Sequence, residues 1–203
     1  MEEKRAEKKR RDQAERLGIE CHKQLVPADQ AMFAKFALAS RGRKQLASKA
    51  LVADSGDLRM VIFDFRYIVG SGRGTREYKQ TCVMAQSDLL SIPAFEISPE
   101  GMLQKIAGLF GYQDINFDDD TNFAKVFELN GPDVDKIRAF FTAKRRQEVL
   151  CERQIILEGN GDQFTFHQTG CHMSSFEELN RLMERAVSLY AVMRSEPDGS
   201  SLN

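Results

Sequence analysis

The sequence predicts an α+β fold, a mainly antiparallel β-sheet of meander and hairpins packed by about three amphipathic helices. Three observations carry this expectation. Residues 58–86 are the longest β-forming stretch, two alternating strands joined by a glycine-rich loop. Asn160-Gly161 separates two further strand-like runs and is the dipeptide that a tight hairpin turn favours. Residues 176–193 carry a continuous apolar stripe at helical spacing. Strands cluster and helices follow, without the regular βαβ alternation of a parallel sheet.

Taken in order, residues 3–17 read as a polar helix that projects from the domain and stops at Gly18. Residues 19–26 suit a first strand, and Asp29 suits the N-cap of a short helix bearing Met32 and Phe33. Phe36–Ala39 suits another short strand, followed by the basic turn Arg41-Gly42-Arg43-Lys44. Asp54-Ser55-Gly56-Asp57 has hairpin composition. In the strand after it, Val61, Phe63, Phe65, Tyr67 and Val69 share a core face, while Met60, Ile62, Asp64, Arg66 and Ile68 share a partly covered one. A short strand at 94–97 leads to a helix at 99–110, with Ser98 as N-cap and Pro99 in the first turn. A strand is expected at 123–129, and Asn130-Gly131-Pro132-Asp133 opens a helix whose Lys144-Arg145-Arg146 stretch is a solvated face. Strands at 153–159 and 162–168 form the hairpin, and Ser174 with Glu177 reads as the capping box of the last helix.

The chain has 203 residues, so one domain is expected. A charged helical lead occupies 1–18, the α+β domain 19–195, and a flexible tail 196–203. Hydrophobic residues make up 42%, including 14 Phe, enough for a packed core. The net charge of −1 provides no global field that would select nucleic acid or membrane. Charge is uneven, however: residues 1–60 carry 14 Lys/Arg against 9 Asp/Glu, and the rest 15 against 21. Around Lys8-Lys9-Arg10-Arg11 the acids are interleaved at helical spacing, which makes a solvated helix the expectation over a phosphate footprint. Cysteines 21, 82, 151 and 171 are widely spaced and read as free thiols of a reducing compartment. No run reaches the ~18 apolar residues that suggest a membrane span.

Chemical motifs are sparse. The loop Gly70-Ser71-Gly72-Arg73-Gly74-Thr75 could cradle phosphate, but it joins two strands and lacks the P-loop lysine, so a flexible hairpin loop is expected. His167, Cys171 and His172, with Cys151 across the hairpin, do not have workable zinc spacing. Asp118-Asp119-Asp120 and Asp114 lack the glycine and distant Glu of a calcium loop, so an exposed, capping-rich loop is expected. No GxSxG or HExxH occurs. No catalytic residue, metal or cofactor is expected. The candidate ligand-binding residues are Asp64, Arg66, Tyr67, Arg73 and Asp114.

The blocks FDFRYIVGSGRGTREYKQT (63–81), PAFEISPE (93–100), LFGYQDINF (109–117) and FELNGPDVDKIRAFF (127–141) resemble a family of uncharacterised bacterial proteins, a domain-of-unknown-function family. The likeness covers roughly residues 17–193 and implies one unit, but it brings no activity, ligand or catalytic residue. Some members carry membrane-spanning segments ahead of this domain. The resemblance therefore implies either a soluble cytoplasmic protein or a domain on the cytoplasmic side of a membrane with a removed or separate anchor. The leading expectation is a non-catalytic binding or scaffold domain at the inner face of the bacterial membrane. Its partners would be another protein or a second copy, with weak contact to an anionic membrane surface. An enzyme using Asp64, Arg66, Tyr67 and Asp114 is one alternative. Nucleic-acid binding through the basic first third is another; nucleic acid is otherwise not an expected partner.

Overall fold

The computed structural model describes residues 8, 11–12, 14–101, 113–152, 154–172 and 175–194. Among these, nine strands form one antiparallel sheet. In chain order they are β1 (Glu20–His22), β2 (Arg43–Ser55), β3 (Leu58–Val69), β4 (Arg76–Gln86), β5 (Ile92–Pro99), β6 (Gln113–Asp114), β7 (Phe127–Gly131), β8 (Ile156–Gly161) and β9 (Gln163–His167). Their order across the sheet is β1-β2-β3-β4-β9-β8-β5-β7-β6. The helices are α1 (Pro27–Phe33), α2 (Thr121–Val126), α3 (Val134–Phe140), α4 (Ala143–Leu150) and α5 (Phe176–Arg194). The expected α+β class with an antiparallel sheet is the observed one.

The meander β2–β3–β4 forms for the reason its alternation suggests. Val61, Phe63, Phe65 and Tyr67 are buried on one face against Leu25, Met32, Phe33, Phe36 and Leu38. Phe33 meets both Phe63 and Phe65 edge-on, with ring centroids 4.9 Å apart in each case. The opposite face of the same strand carries Met60 and Ile62 into a larger core with Phe95, Phe123, Phe141, Phe164 and Phe166 and the buried stripe of α5. The sheet is thus covered on both sides, which is why β3 reads as a near-continuous apolar run around Asp64.

Local chemistry revises several element assignments. The first strand is only three residues, Glu20–His22. Asp29 does not cap α1; Val26 holds that position, Pro27 opens the helix, and buried Asp29 pairs with Arg59 at 3.1 Å. Residues 37–40 form a 3₁₀ turn rather than a strand, with Ala39 N donating to Phe36 O and Arg41 N to Leu38 O. Ser98 and Pro99 belong to β5, paired with Glu128 and Phe127, so no helix starts there. The remainder of the expected 99–110 helix falls outside the described residues, beyond Gly101. Residues 121–126 are helical rather than β, because the Asp120 carboxylate accepts from Phe123 N and caps them. The helix expected after Pro132 is two helices: Asp133 caps α3, and Thr142 caps α4 after a break at Phe141.

Arg145 and Arg146 are buried, not solvated. Arg145 donates to Phe140 O at 2.7 Å and to Val192 O at 3.1 Å near the C-terminal end of α5, where carbonyls lack helical partners. Arg146 pairs with Asp119 at 2.8 Å and Asp120 at 2.9 Å, with its guanidinium over the Phe117 ring. The acidic loop thus serves this arginine as well as capping α2. The capping box of α5 is Ser175 with Glu178, one residue on from the expected pair; Ser174 lies outside the described residues. The lead ends where expected, at Gly18 with φ 72°. Ala14 is buried in the larger core, so the end of the lead is packed. The tail 196–203 lies outside the described residues.

Candidate functional site

The two faces of the sheet differ in chemistry. Cross-strand partners share a face, so Phe65 with Gln80, Cys82 with His167, Met84 with Thr165, Thr165 with Glu158, Glu158 with Glu96, and Glu96 with Asn130 trace one continuous surface. On β2, β3 and β4 this surface is largely apolar. On β9, β8, β5 and β7 it carries Gln163, Thr165, His167, Glu158, Glu96, Ser98 and Asn130, all buried. The alternation that puts phenylalanines on the larger core puts these polar groups on the other side.

The segment after α1 lies across this polar surface. Ala37 N donates to Glu158 Oε2 at 2.5 Å, and Leu38 N donates to Glu158 Oε1 at 3.2 Å. Arg41, the first residue of the expected basic turn, donates to Glu96 Oε1 at 2.7 Å, and both side chains are less than a tenth exposed. Burial, with the charge of Glu96 adding to it, raises the Glu158 carboxyl to about 7 despite Arg41 and the two amides. Burial also raises Glu96, and the Arg41 guanidinium opposes that rise. Burial, helped by Arg41, lowers His167 to about 3, so the ring is neutral. Burial and the Glu158 charge push the Cys82 thiol well up, so it is no nucleophile at neutral pH.

Among the described residues, eight buried side-chain polar atoms lack a hydrogen-bond partner: Arg41 Nε, both amide atoms of Gln80, Glu96 Oε2, Ser98 Oγ, Gln163 Oε1 and both ring nitrogens of His167. All belong to residues on this one surface or, for Arg41, reaching it. Buried polar atoms are paired in most native proteins, so their concentration here marks the surface as unusual. A crevice of about 170 Å³ opens on this surface, lined by Lys35, Glu96, Asn130, Glu158 and Asn160 with the backbone around Gly131; of the residues with unmatched atoms, Glu96 alone lines it. A larger depression of about 320 Å³ lies between α1 and β2, lined by Leu25, Phe33, Ala47 and Phe65 and rimmed by glutamines.

The candidate residues picked from the sequence do not converge. Asp64 is buried, accepts from Thr81 Oγ1 at 3.1 Å, and pairs with His172 at 3.0 Å and Lys49 at 3.8 Å. Arg66, on the same face, is exposed and pairs with Glu77 at 3.1 Å. Tyr67 points to the opposite face, stacked on Tyr78 at 5.3 Å. Arg73 stands exposed in the 3₁₀ turn Gly72–Gly74 between β3 and β4. Asp114 lies on edge strand β6 and accepts from Asn116. Strand β3 is third and β6 ninth in the sheet order, so Asp64 and Asp114 sit far apart. Of the basic first third, Arg41 is buried against Glu96, and Lys9 and Arg10 lie outside the described residues. Among the zinc candidates, His167 is sealed in the interior and His172 is engaged by Asp64.

Sequence reasoning missed Arg41, Glu96 and Glu158. The visible signal was modest: each strand carries a lone acid at an inward position of an otherwise apolar run, in PAFEIS and IILEGN. A charge at such a position demands a partner, but only the fold shows that both acids face the same arginine-bearing segment.

The fold is shared with a solved transport factor. It superposes on the crystal structure of the mycobacterial trehalose monomycolate transport factor A, TtfA, with a TM-score of 0.64 and 8% sequence identity, covering 95% of this chain and 96% of that one. At this identity the likeness is one of fold. No family model and no curated protein matches the sequence, in keeping with its resemblance to a family without an assigned activity. Among the described residues, no helix is long and apolar enough to cross a membrane.

Proposed function

We propose that this chain is a non-catalytic binding domain whose ligand enters the crevice between residues 35–37 and strands β5, β7 and β8. The observation that carries the reading is the crevice itself, lined by the polar side chains of Lys35, Glu96, Asn130, Glu158 and Asn160 on a sheet surface that carries further buried polar groups. The acids there are arranged for holding rather than for chemistry. One oxygen of Glu96 is occupied by Arg41, and both oxygens of Glu158 take backbone amides. Cys82 is kept as a neutral thiol and His167 as a neutral ring, which removes the nucleophile and the base nearest to them.

The end-to-end likeness to a protein described as a transport factor supports placing such a domain in a transport-related role, as a carrier or assembly component. An inner-membrane location and a protein partner fit that role and belong to the proposal. The test is a panel of small polar compounds followed by ligand-observed NMR and by thermal shift with wild type and Asn130→Ala. Saturable binding without chemical change of the bound compound, weakened by the substitution, is the expected result. Conversion of the compound by the protein would make the chain an enzyme. Binding indifferent to Asn130→Ala would move the site elsewhere.

A further inference from the structure

One end of the meander is strongly basic. Arg43, Lys44, Arg66, Arg73, Arg76 and Lys79 are all exposed there, and Glu77 is the one acid among residues 41–46 and 65–80. The strand register gathers them: Arg66 pairs with Lys79, Ile68 with Glu77 and Val69 with Arg76, while Arg43 meets Ile68 from β2. At ~3.3 Å per residue, Arg66 lies about 10 Å from the end of its strand, so the group sits within roughly one Debye length of the hairpin tip. Six bases against one acid give this end +5 in a chain whose total is −1, so the rest of the chain carries −6. Such a separation turns the basic end toward an anionic surface.

The tip can come close to a plane. From Gly70 to Gly74 only Ser71 and Arg73 carry side chains. The turn is compact: Gly74 N donates to Ser71 O at 3.1 Å, Thr75 Oγ1 donates to Gly72 O at 2.9 Å, and Arg43 donates to the Gly70 carbonyl. Val69, paired with Arg76, is 40% exposed. An aliphatic side chain among bases suits the boundary between headgroups and acyl chains, and it finds no partner on a phosphodiester backbone. Tyr67 is buried and Tyr78 lies stacked on it, so neither ring stands out from the tip as a platform for nucleobases. We propose that this tip docks end-on against an anionic lipid headgroup surface, through Arg43, Lys44, Arg66, Arg73, Arg76 and Lys79, with Val69 at headgroup depth. The contact deepens the inner-membrane location already proposed and stands apart from the crevice: its failure would remove that location and leave the ligand site untouched.

The test is co-sedimentation of the full chain with vesicles of pure phosphatidylcholine and of phosphatidylcholine mixed with phosphatidylglycerol, at low and at physiological ionic strength. Only the acidic vesicles bind the protein, and they bind it more weakly in the higher salt. Arg73→Ala combined with Arg76→Ala weakens that binding by roughly thirtyfold, two bases at about 1 kcal/mol each. Lys125→Ala combined with Arg181→Ala removes the same charge from exposed positions on α2 and α5 and leaves binding unchanged. Glu77→Gln, which deletes the acid of the patch, tightens binding by roughly fivefold. Circular dichroism checks that each variant is folded. Absence of binding to the acidic vesicles, equal binding to both kinds, equal loss in the two double variants, or no gain from Glu77→Gln overturns the proposal. Tighter binding to double-stranded DNA or poly(U) than to the vesicles, lost with Arg73→Ala and Arg76→Ala, overturns it in favour of nucleic acid.

Discussion

His167 and Glu158 sit on adjacent strands, and burial moves their acidities in opposite directions. Glu158, raised to about 7 from 4.5, keeps its proton in the fold where the unfolded chain has lost it. Its contribution to stability therefore falls as pH rises from about 4.5 to about 7. His167, lowered to about 3 from 6.5, stays neutral where the unfolded chain has gained a proton, so its contribution falls as pH drops from about 6.5 to about 3. His167→Leu removes the second effect and two unmatched nitrogens. At pH 4.5 the variant is expected to exceed wild type by about 2–3 kcal/mol more than it does at pH 8, read from urea unfolding at both pH values. An unchanged gap would mean that the ring reaches water or a partner. Arg41→Met leaves Glu96 buried without its counter-charge and is expected to cost about 3–5 kcal/mol. Adding Glu96→Leu should restore most of that loss, and a double-mutant cycle measures how much.

At the scale of the elements, backbone requirements and helix ends are the sensitive points. Gly42, at φ 64°, enters β2 with its Cα against the Ile68 carbonyl and the Tyr67 ring, where a Cβ would collide. Gly56, at φ 61° in the β2–β3 turn, has open space around it. Both alanine variants are strained at positive φ by about 1 kcal/mol, and Gly42→Ala alone adds a steric cost that should bring it to about 3 kcal/mol. Comparable denaturation midpoints for the two variants would show that β2 shifts to make room. Arg145 ties α4 to the last carbonyls of α5 through two nitrogens of its guanidinium. Arg145→Lys, which keeps the charge but loses the fork, is expected to lose about 1–2 kcal/mol and to speed amide hydrogen exchange in residues 190–194 before the rest of α5.

Over the whole molecule, the covering segment from α1 to Arg41 binds the two halves of the sheet into one unit. Phe33 packs on β3, while Ala37, Leu38 and Arg41 bond to β8 and β5. The sheet itself is continuous through the β4–β9 pairing, and the larger core runs beneath both halves. Unfolding should therefore be a single transition, with far-UV dichroism and tyrosine fluorescence giving the same midpoint. Separate midpoints would show that the meander and the second half fold as independent units.

What could be read from residue order was whatever depends on neighbours in the chain. The alternation of 61–67, a hairpin around Gly161, the Gly18 stop and the stripe of α5 each follow from periodicity or a local backbone need and are present in the fold, although the hairpin loop is Gly161-Asp162 rather than Asn160-Gly161, because Asn160 pairs with Gln163. Residues 123–126, expected as the start of a strand, are helical, and a six-residue helix capped by Asp120 has no period long enough to register in the sequence. Arg145 and Arg146 look solvated in a charged run, and only the approach of α5 and of the acidic loop buries them. The same holds for the crevice. Arg41 and Glu96 are separated by 55 residues, and Glu158 lies 121 residues from Ala37. No spacing rule links such positions; strand order and the path of the covering segment bring them together, because buried charges are tolerated only where the fold supplies their partners.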